Sequence, residues 1–177
     1  NFINRFNKII SHDDLDIFSG VTYSLNNKNQ IIGNQTKKIF KQLKVEFLNK
    51  EEVTNFSKLN FILSILNLFP NIGSFIFKKN VLKETLGNIE IRKNSINYAF
   101  DWILYFLLSQ KKHLKFYFDF KAINFFKIHG NNFSEQNDKI KKVQEIKLVY
   151  DFIDKYNHNF SSKNLTELRN KYLETIQ

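Results

Sequence analysis

The stretch that decides the fold is Leu114-Lys115-Phe116-Tyr117-Phe118-Asp119-Phe120-Lys121. Apolar residues occupy every second position, and charged residues or tyrosine occupy the positions between them. Because successive side chains of a β-strand point to opposite faces, this alternation predicts a strand over residues 114–121 with one buried face. The other face, Lys-Tyr-Asp-Lys, allows two interpretations: an ordinary solvated surface, or a sheet face turned towards RNA.

Further strands are predicted on the N-terminal side of this stretch. Ile96, Tyr98 and Phe100 alternate with smaller or polar residues, which predicts a half-buried strand that runs into Trp102. Residues 71–95 are otherwise expected to be irregular. Short strands are predicted at residues 44–48, 75–77 and 89–91.

Two helices are predicted in the first half of the chain. Apolar residues have a loose helical spacing over residues 3–18, which ends at Ser19-Gly20. A clearer helix begins after Asn49, which suits an N-cap, and Pro70 ends it, because the residue before a proline avoids helical geometry. Its apolar stripe consists of Val53, Phe56, Leu59, Leu63 and Leu66.

A polar and basic segment, residues 21–44, separates these two helices and is predicted to be a long loop with short strands. Two more helices are predicted over residues 138–156 and 165–176, the second capped by Asn164. These elements together predict an α+β fold: a largely antiparallel sheet packed by helices in two layers, with C-terminal helices. Residues 1–137 are expected to form the RNA-binding domain, with residues 138–177 as a helical extension packed on it.

The composition favours a polyanionic partner or an anionic surface. The 177 residues include 27 Lys+Arg against 17 Asp+Glu, a formal net charge of +10. Asn, Lys, Ile and Phe, all encodable by codons of A and T alone, make up half of the chain, so part of this charge reflects base composition. The longest apolar run, Trp102 to Leu108, is too short for a membrane span.

Signatures of catalysis and of metal binding are missing from the sequence. Without cysteine there is no disulfide, thiolate metal site or cysteine nucleophile. The five glycines are too scattered for a nucleotide-binding loop, and the four histidines never pair at i, i+4. Asp13, Asp14 and Asp16 lack the spacing of an EF-hand and are interpreted as acidic residues of a turn. We therefore predict no catalytic residue, no cofactor and no metal.

Lysine clusters are the remaining functional signal. With only three arginines in the chain, contacts to phosphate are expected to outnumber contacts to base edges. A solvated charged face is the simplest explanation of any one cluster. The candidate RNA-binding residues are Lys28, Lys37, Lys38, Lys41, Lys44, Lys78, Lys79, Arg92, Lys93, Lys111, Lys112 and Lys115.

From Asp14 onward, the order of short motifs resembles the family of large-subunit ribosomal protein L-five. The run Asp14-Leu15-Asp16-Ile17-Phe18-Ser19-Gly20 is similar to the family's helix that ends in Ile-Ser/Thr-Gly, and Lys44-Val45-Glu46-Phe47-Leu48 to the strand that follows its basic loop. The segment Leu68 to Phe75 is similar to the family's Leu-Pro-Arg-Ile-Arg-Asp-Phe. Matching stretches follow at Glu90 to Ile96, Asn97-Tyr98 and Lys112 to Phe118.

This resemblance implies a structural, non-catalytic protein in the central protuberance of an organellar large ribosomal subunit, located in the mitochondrial matrix. The implied partners are large-subunit rRNA, the elbow of P-site tRNA, and neighbouring ribosomal proteins including one of the small-subunit head; contact with 5S rRNA, which the family makes largely through its N-terminal segment, is left open. The loop from Tyr23 to Lys44 would reach the tRNA. Asn71 and Gly73 replace the two arginines of the proline motif, and the family's N-terminal segment has no counterpart in the sequence.

Two other functions fit the same composition. The first is a non-catalytic interaction subunit of an organellar membrane complex, with its lysines facing anionic lipid. The second is a nuclease that uses the Asp13, Asp14 and Asp16 cluster to hold a metal ion, a reading that no other feature supports.

Overall fold

A computed structural model describes residues 2–10, 14–34, 53–69, 71–87, 96, 99–128, 139–156 and 162–176. The strands are β1 Ile17–Leu25, β2 Ile31–Asn34, β3 Thr54–Asn55, β4 Phe75–Phe77 and β5 Lys115–Lys127. The α-helices are α1 Phe2–Ile10, α2 Asn60–Leu63, α3 Lys79–Gly87, α4 Phe100–Ser109, α5 Lys139–Tyr156 and α6 Ser162–Glu174. Short 3-10 helices cover Phe56–Leu59 and Ile72–Ser74.

The architecture is α+β, as predicted, but the sheet is mixed rather than largely antiparallel. Strand β1 lies in the middle and pairs in parallel with β5 along its whole length. On its other edge β1 pairs antiparallel with β4 near its start and with β2 near its end, while β3 pairs antiparallel with the start of β5. A parallel pair needs a long crossover connection, and the helices between β1 and β5 supply it.

Both faces of the β1–β5 pair are covered, as the strands of a parallel pair require. On one face, Ile17 and Phe116 belong to a large aromatic core that also contains Trp102 of α4 and Val149 of α5. The opposite face carries a smaller cluster around Phe18, on which α1 packs. Both strands are therefore buried on both faces over most of the pair.

The predicted helix over residues 3–18 is wrong in its second half. Helix α1 ends at Ile10, and β1 begins at Ile17, so Ser19 and Gly20 lie inside a strand. The burial of nearly every residue of β1 explains the error, because a strand buried on both faces shows no alternation. The family's helix ending in Ile-Ser/Thr-Gly therefore has no helical counterpart here.

The predicted long helix before Pro70 is also wrong. Strand β3, a 3-10 turn and the single turn of α2 take its place over residues 54–63. The apolar stripe is nevertheless buried at Phe56, Leu59, Leu63 and Leu66. Side chains three and four positions apart share a face in either kind of helix, so the pattern located the core correctly and the element incorrectly.

A third error concerns the region before the decisive strand. The predicted strand that runs into Trp102 is wrong from Phe100 onward, where helix α4 begins, while Asn97 and Tyr98 lie outside the described residues. Helix α4 is buried almost all round. Such a helix has no apolar periodicity to distinguish it from a strand. Helix α3 also forms within residues 71–95, which were expected to be irregular.

Several predicted elements are confirmed. Strand β5 covers residues 114–121 almost entirely and continues to Lys127, and β4 coincides with residues 75–77. Helix α5 matches residues 138–156. Helix α6 begins at Ser162, so Asn164 lies inside it rather than capping it. The strands predicted at residues 44–48 and 89–91 lie outside the described residues.

Candidate nucleic-acid interface

Two of the predicted lysine clusters meet at one end of the sheet. Strands β4, β1 and β5 lie side by side there, since the Lys78 amide donates to the Asp16 carbonyl at 2.9 Å and the Asp16 amide donates to the Lys115 carbonyl at 3.1 Å. Helix α3 is joined to the turn before β5 by an ion pair between Lys111 and Glu84, 2.7 Å apart. We call this surface the lysine end; its residues are Lys78, Lys79, Lys83, Lys111, Lys112 and Lys115.

Carboxylates hold two of these lysines in place. The Lys78 ammonium donates to Asp14 and lies 3.1 Å from Asp16. Its hydrogen bond to Asp14 raises the pKa of Lys78 and lowers the pKa of Asp14, so both groups are charged at neutral pH. The Lys111 hydrogen bond likewise lowers the pKa of Glu84. Lys78 and Lys111 therefore fasten the lysine end together.

The remaining members of the lysine end are exposed: Lys79, Lys83, Lys112 and Lys115. Lys79 is the first residue of α3, whose first turn contains no acidic side chain. The positive end of the α3 dipole thus adds to the charge of the lysines, and the field there favours an anion. With three carboxylates against six ammonium groups, the surface retains a clear positive excess.

Lys28 lies at the opposite end of the sheet, in the turn between β1 and β2. Strand β1 spans nine residues, about 26 Å at 3.3 Å per residue, and separates this turn from the lysine end. Among the residues that the structure describes, the predicted RNA-binding lysines therefore do not form one continuous surface. Lys37, Lys38, Lys41, Lys44, Arg92 and Lys93 lie outside the described residues.

At Tyr117 and Asp119, neither interpretation of the Lys-Tyr-Asp-Lys face of β5 is correct. Helix α1 covers its centre, where Tyr117 stacks on Phe18 and Asp119 is fully buried. The Arg5 guanidinium of α1 donates to the Asp119 carboxylate at 2.6 Å. The charge of Asp119 is thus balanced by a residue 114 positions earlier, which no local pattern could reveal.

Asp14 and Asp16 do not form a metal site in this structure. Both carboxylates are occupied by Lys78, and Asp16 also accepts a hydrogen bond from the Lys115 amide at 2.9 Å. Within the part of the chain that the structure describes, no group of three or more potential metal ligands comes together. Asp13 lies outside that part.

Four residues with functional potential were not predicted from the sequence. Lys83 belongs to the lysine end, and Tyr23, Phe125 and Lys127 meet on one face of the β1–β5 pair. The register of β5 against β1 shifts between Asp119 and Ile123, so the odd positions beyond the shift lie on the other face of the pair. The alternation of residues 114–121 therefore does not extend to Phe125 and Lys127, and no simple sequence pattern indicated them.

The comparisons with known proteins identified no relative of this chain. No protein-family model matches the sequence, and neither the curated proteins nor the solved structures include a significant match. Among the described helices, none is long and apolar enough to cross a bilayer.

Proposed function

We propose that this protein is a non-catalytic, RNA-binding structural component of an organellar large ribosomal subunit, in the mitochondrial matrix. The lysine end is the single observation that carries the RNA-binding part of the proposal. The order of family-like motifs supports the ribosomal part. Its expected place is the central protuberance, with rRNA, P-site tRNA and a small-subunit head protein as neighbours.

The geometry of the lysine end fits phosphate better than any neutral partner. Four exposed ammonium groups stand on two fixed elements, helix α3 and the start of β5 with its preceding turn. Lysine binds phosphate as a point charge and places few demands on orientation. Such a surface binds nucleic acid mainly through counterion release, with little dependence on base sequence.

The fold agrees with one of the elements that the resemblance implies and differs at another. The basic strand expected at Lys112 to Phe118 is present as the start of β5. The helix expected over Asp14 to Gly20 is absent. The proposal therefore depends on the order of motifs and on the charged surface, rather than on a shared set of helices.

Binding of RNA by a charge-reduced variant tests the first part. Replacing Lys79, Lys83, Lys112 and Lys115 together by glutamine should weaken binding to duplex RNA and flatten the plot of log affinity against log salt. The expected change in slope is about 0.9 for each phosphate contact removed, or about 3 to 4 in total. Nitrocellulose filter binding over a range of KCl concentrations measures both quantities.

A matched variant controls for the loss of net charge. Lys141, Lys147, Lys155 and Lys171 are exposed on α5 and α6, which are not elements of the lysine end. Changing these four to glutamine should leave the salt slope close to that of the unmodified protein. Equal effects of the two quadruple variants would contradict a site at the lysine end.

Sedimentation of native organelle extract tests the ribosomal part. The protein should migrate with large subunits in moderate salt and leave them after RNase treatment. Migration in a particle that resists RNase but disperses in detergent would overturn the ribosomal assignment.

A further inference from the structure

The end of the sheet opposite the lysine end carries an exposed aromatic surface. Tyr23 of β1 and Phe125 of β5 are register partners in a parallel pair, so their side chains are neighbours on the same face. Their ring centroids are 6.3 Å apart, with the rings tilted by 45°. Phe125 is 54% exposed, whereas Tyr23 packs against the large core and is fixed by it.

Two lysines lie at the same end of the sheet as this aromatic pair. Lys127 lies two positions beyond Phe125 on the same strand, and its ammonium donates to the Asn29 side chain at 2.9 Å in the β1–β2 turn. Lys28 is exposed in that same turn. Residues 17–34 and 120–128 contain no acidic residue. This contrasts with the lysine end, where Asp14, Asp16 and Glu84 offset part of the charge.

We infer that Tyr23 and Phe125, with Lys28 and Lys127, form a platform for unpaired bases of single-stranded RNA. We call it the aromatic platform. A base stacks on an aromatic ring because both have extended π faces, and the flanking lysines then lie where the phosphates of the same strand pass. Duplex RNA hides its base faces within the helix, so it lacks the surface that this platform recognises.

The charge distribution favours RNA over a second protein chain. An exposed aromatic pair also suits a protein interface, and Ile31 of the neighbouring strand β2 is 60% exposed. The lysines and the absence of acidic residues in residues 17–34 and 120–128, however, match a polyanion. The inference rests on the proposed RNA-binding function but concerns a separate surface, about 26 Å along β1 from the lysine end.

Affinity for a short, unstructured oligoribonucleotide and for a duplex of the same sequence tests this inference. Phe125→Ala should weaken binding of the single strand roughly tenfold, because stacking on one ring is lost, and change duplex binding by less than about twofold. Its salt slope should remain unchanged, since no phosphate contact is removed. Fluorescence anisotropy of the labelled RNA measures these values.

Two further substitutions separate stacking from simple apolar contact. Phe125→Trp should keep single-strand affinity, while Phe125→Leu, which is apolar but has no π face, should lose it. Phe100→Ala is the matched control, because Phe100 is a partly exposed phenylalanine of α4. Full affinity of Phe125→Leu would overturn the stacking assignment, as would a concentration-dependent self-association that Phe125→Ala abolishes.

The lysine-end variant distinguishes failure of this inference from failure of the proposed function. Loss of the four lysines should weaken both RNA forms and flatten the salt slope, whereas Phe125→Ala acts on the single strand alone. Crosslinking of RNA that contains 4-thiouridine should place the modified peptide in residues 120–128. Crosslinks confined to α3 and the start of β5 would contradict the platform and still support the lysine end.

Discussion

Gly20 lies at a backbone position of the sheet that leaves no room for a side chain. The pairing of β1 with β5 shifts between Gly20 and Val21, so that residues 120–122 of β5 bulge out of register. A Cβ at Gly20 would lie 2.2 Å from the Ala122 carbonyl oxygen and 2.8 Å from the Phe2 ring. The bulge, the central strand and α1 therefore meet where only a hydrogen atom fits.

Gly20→Ala is expected to lower the free energy of unfolding by about 3 kcal/mol or more, because the clash involves backbone that cannot move independently. Gly33→Ala is the matched control. A Cβ at Gly33 meets nothing within 4 Å, so its effect should stay within about 0.5 kcal/mol. Urea unfolding followed by circular dichroism measures both. Similar midpoints for the two variants would contradict the close approach of β5.

Asp101, in the first turn of α4, gives the stability a pH dependence of unusual sign. Burial raises its pKa to about 6 from the ordinary 3.8, despite hydrogen bonds from the Trp102 amide and the Asn67 side chain that oppose the shift. The folded chain thus holds this proton more tightly than the unfolded chain does. The contribution of protonated Asp101 to the free energy of unfolding is therefore fully present below pH 4 and is lost as the pH rises to about 6.

The substitution Asp101→Asn should therefore stabilise the folded protein, relative to the unmodified protein, by an amount that grows as the pH rises. The amide keeps an oxygen that can accept both hydrogen bonds and carries no charge to desolvate. Relative to the unmodified protein, the free energy of unfolding should gain about 3 kcal/mol at most between pH 4 and pH 7. Urea titrations at the two pH values measure this gain, with the exposed Asp151→Asn as control. A difference that is independent of pH would disprove the raised pKa.

At the scale of elements, a predicted pattern was reliable where the two faces of an element differ in sequence. Helix α5 has one apolar and one exposed face, and strand β5 alternates apolar with polar residues although α1 covers the centre of its polar face. Strand β1 and helix α4 are buried on nearly all sides, so neither period was visible and both were assigned to the wrong class. The burial of Asp119 depends on its ion pair with Arg5 of α1, and only the folded chain brings these two residues together.

The lysine end shows the same limit for the candidate site. Its members were named from the sequence apart from Lys83, but their separation from Lys28 depends on the topology of the sheet. The ion pairs of Lys78 and Lys111 were equally invisible, because they join elements that lie far apart in the sequence. Clusters along the chain therefore predicted where charge is concentrated, and only the fold shows which of these charges lie on the same surface.

Helix α6 is fastened to the rest of the molecule by Arg169. Its guanidinium donates to the Ser64 carbonyl and to Asp154, each at 2.9 Å, and lies 4.4 Å from the centre of the Tyr150 ring. The Tyr150 hydroxyl in turn donates to the Ile65 carbonyl at 2.7 Å. One side chain thus joins α5, α6 and the turn after α2.

Arg169→Leu should lower the free energy of unfolding by about 2 to 4 kcal/mol, because a buried carbonyl loses its donor and a charge pair loses one partner. Trypsin and chymotrypsin should also cleave within α6 sooner than elsewhere. Lys171→Met on the same helix removes an exposed ion pair with Glu167 and should change stability by less than about 0.5 kcal/mol. Equal resistance of both variants to proteolysis would contradict the role of Arg169.

At the scale of the whole molecule, the sheet carries two chemically different ends. Under the proposed function, the lysine end would attract phosphate without regard to strandedness, and the aromatic platform would present π surface to unpaired bases. An RNA with a duplex next to a single-stranded tail could contact both ends of the sheet. The molecule would then recognise a junction rather than a sequence.

Independence of the two ends follows from their separation. For a duplex with a single-stranded tail, the loss of binding free energy in a combined Phe125→Ala and Lys115→Gln variant should equal the sum of the single losses to within about 0.5 kcal/mol. Anisotropy titrations of the four proteins complete the cycle. Coupling well above that limit would indicate one continuous surface instead of two.

The parallel pairing of β1 with β5 also determines when the protein can fold during its synthesis. The Lys115 amide bonds to Asp16 across 99 positions of sequence, so the central strand has no main partner until the chain has grown past β5. At a translation rate of about 5 to 20 residues per second, roughly 5 to 20 seconds pass between the synthesis of β1 and that of β5. Nascent chains carrying this apolar strand are exposed to aggregation during the wait, which makes them natural clients for a chaperone.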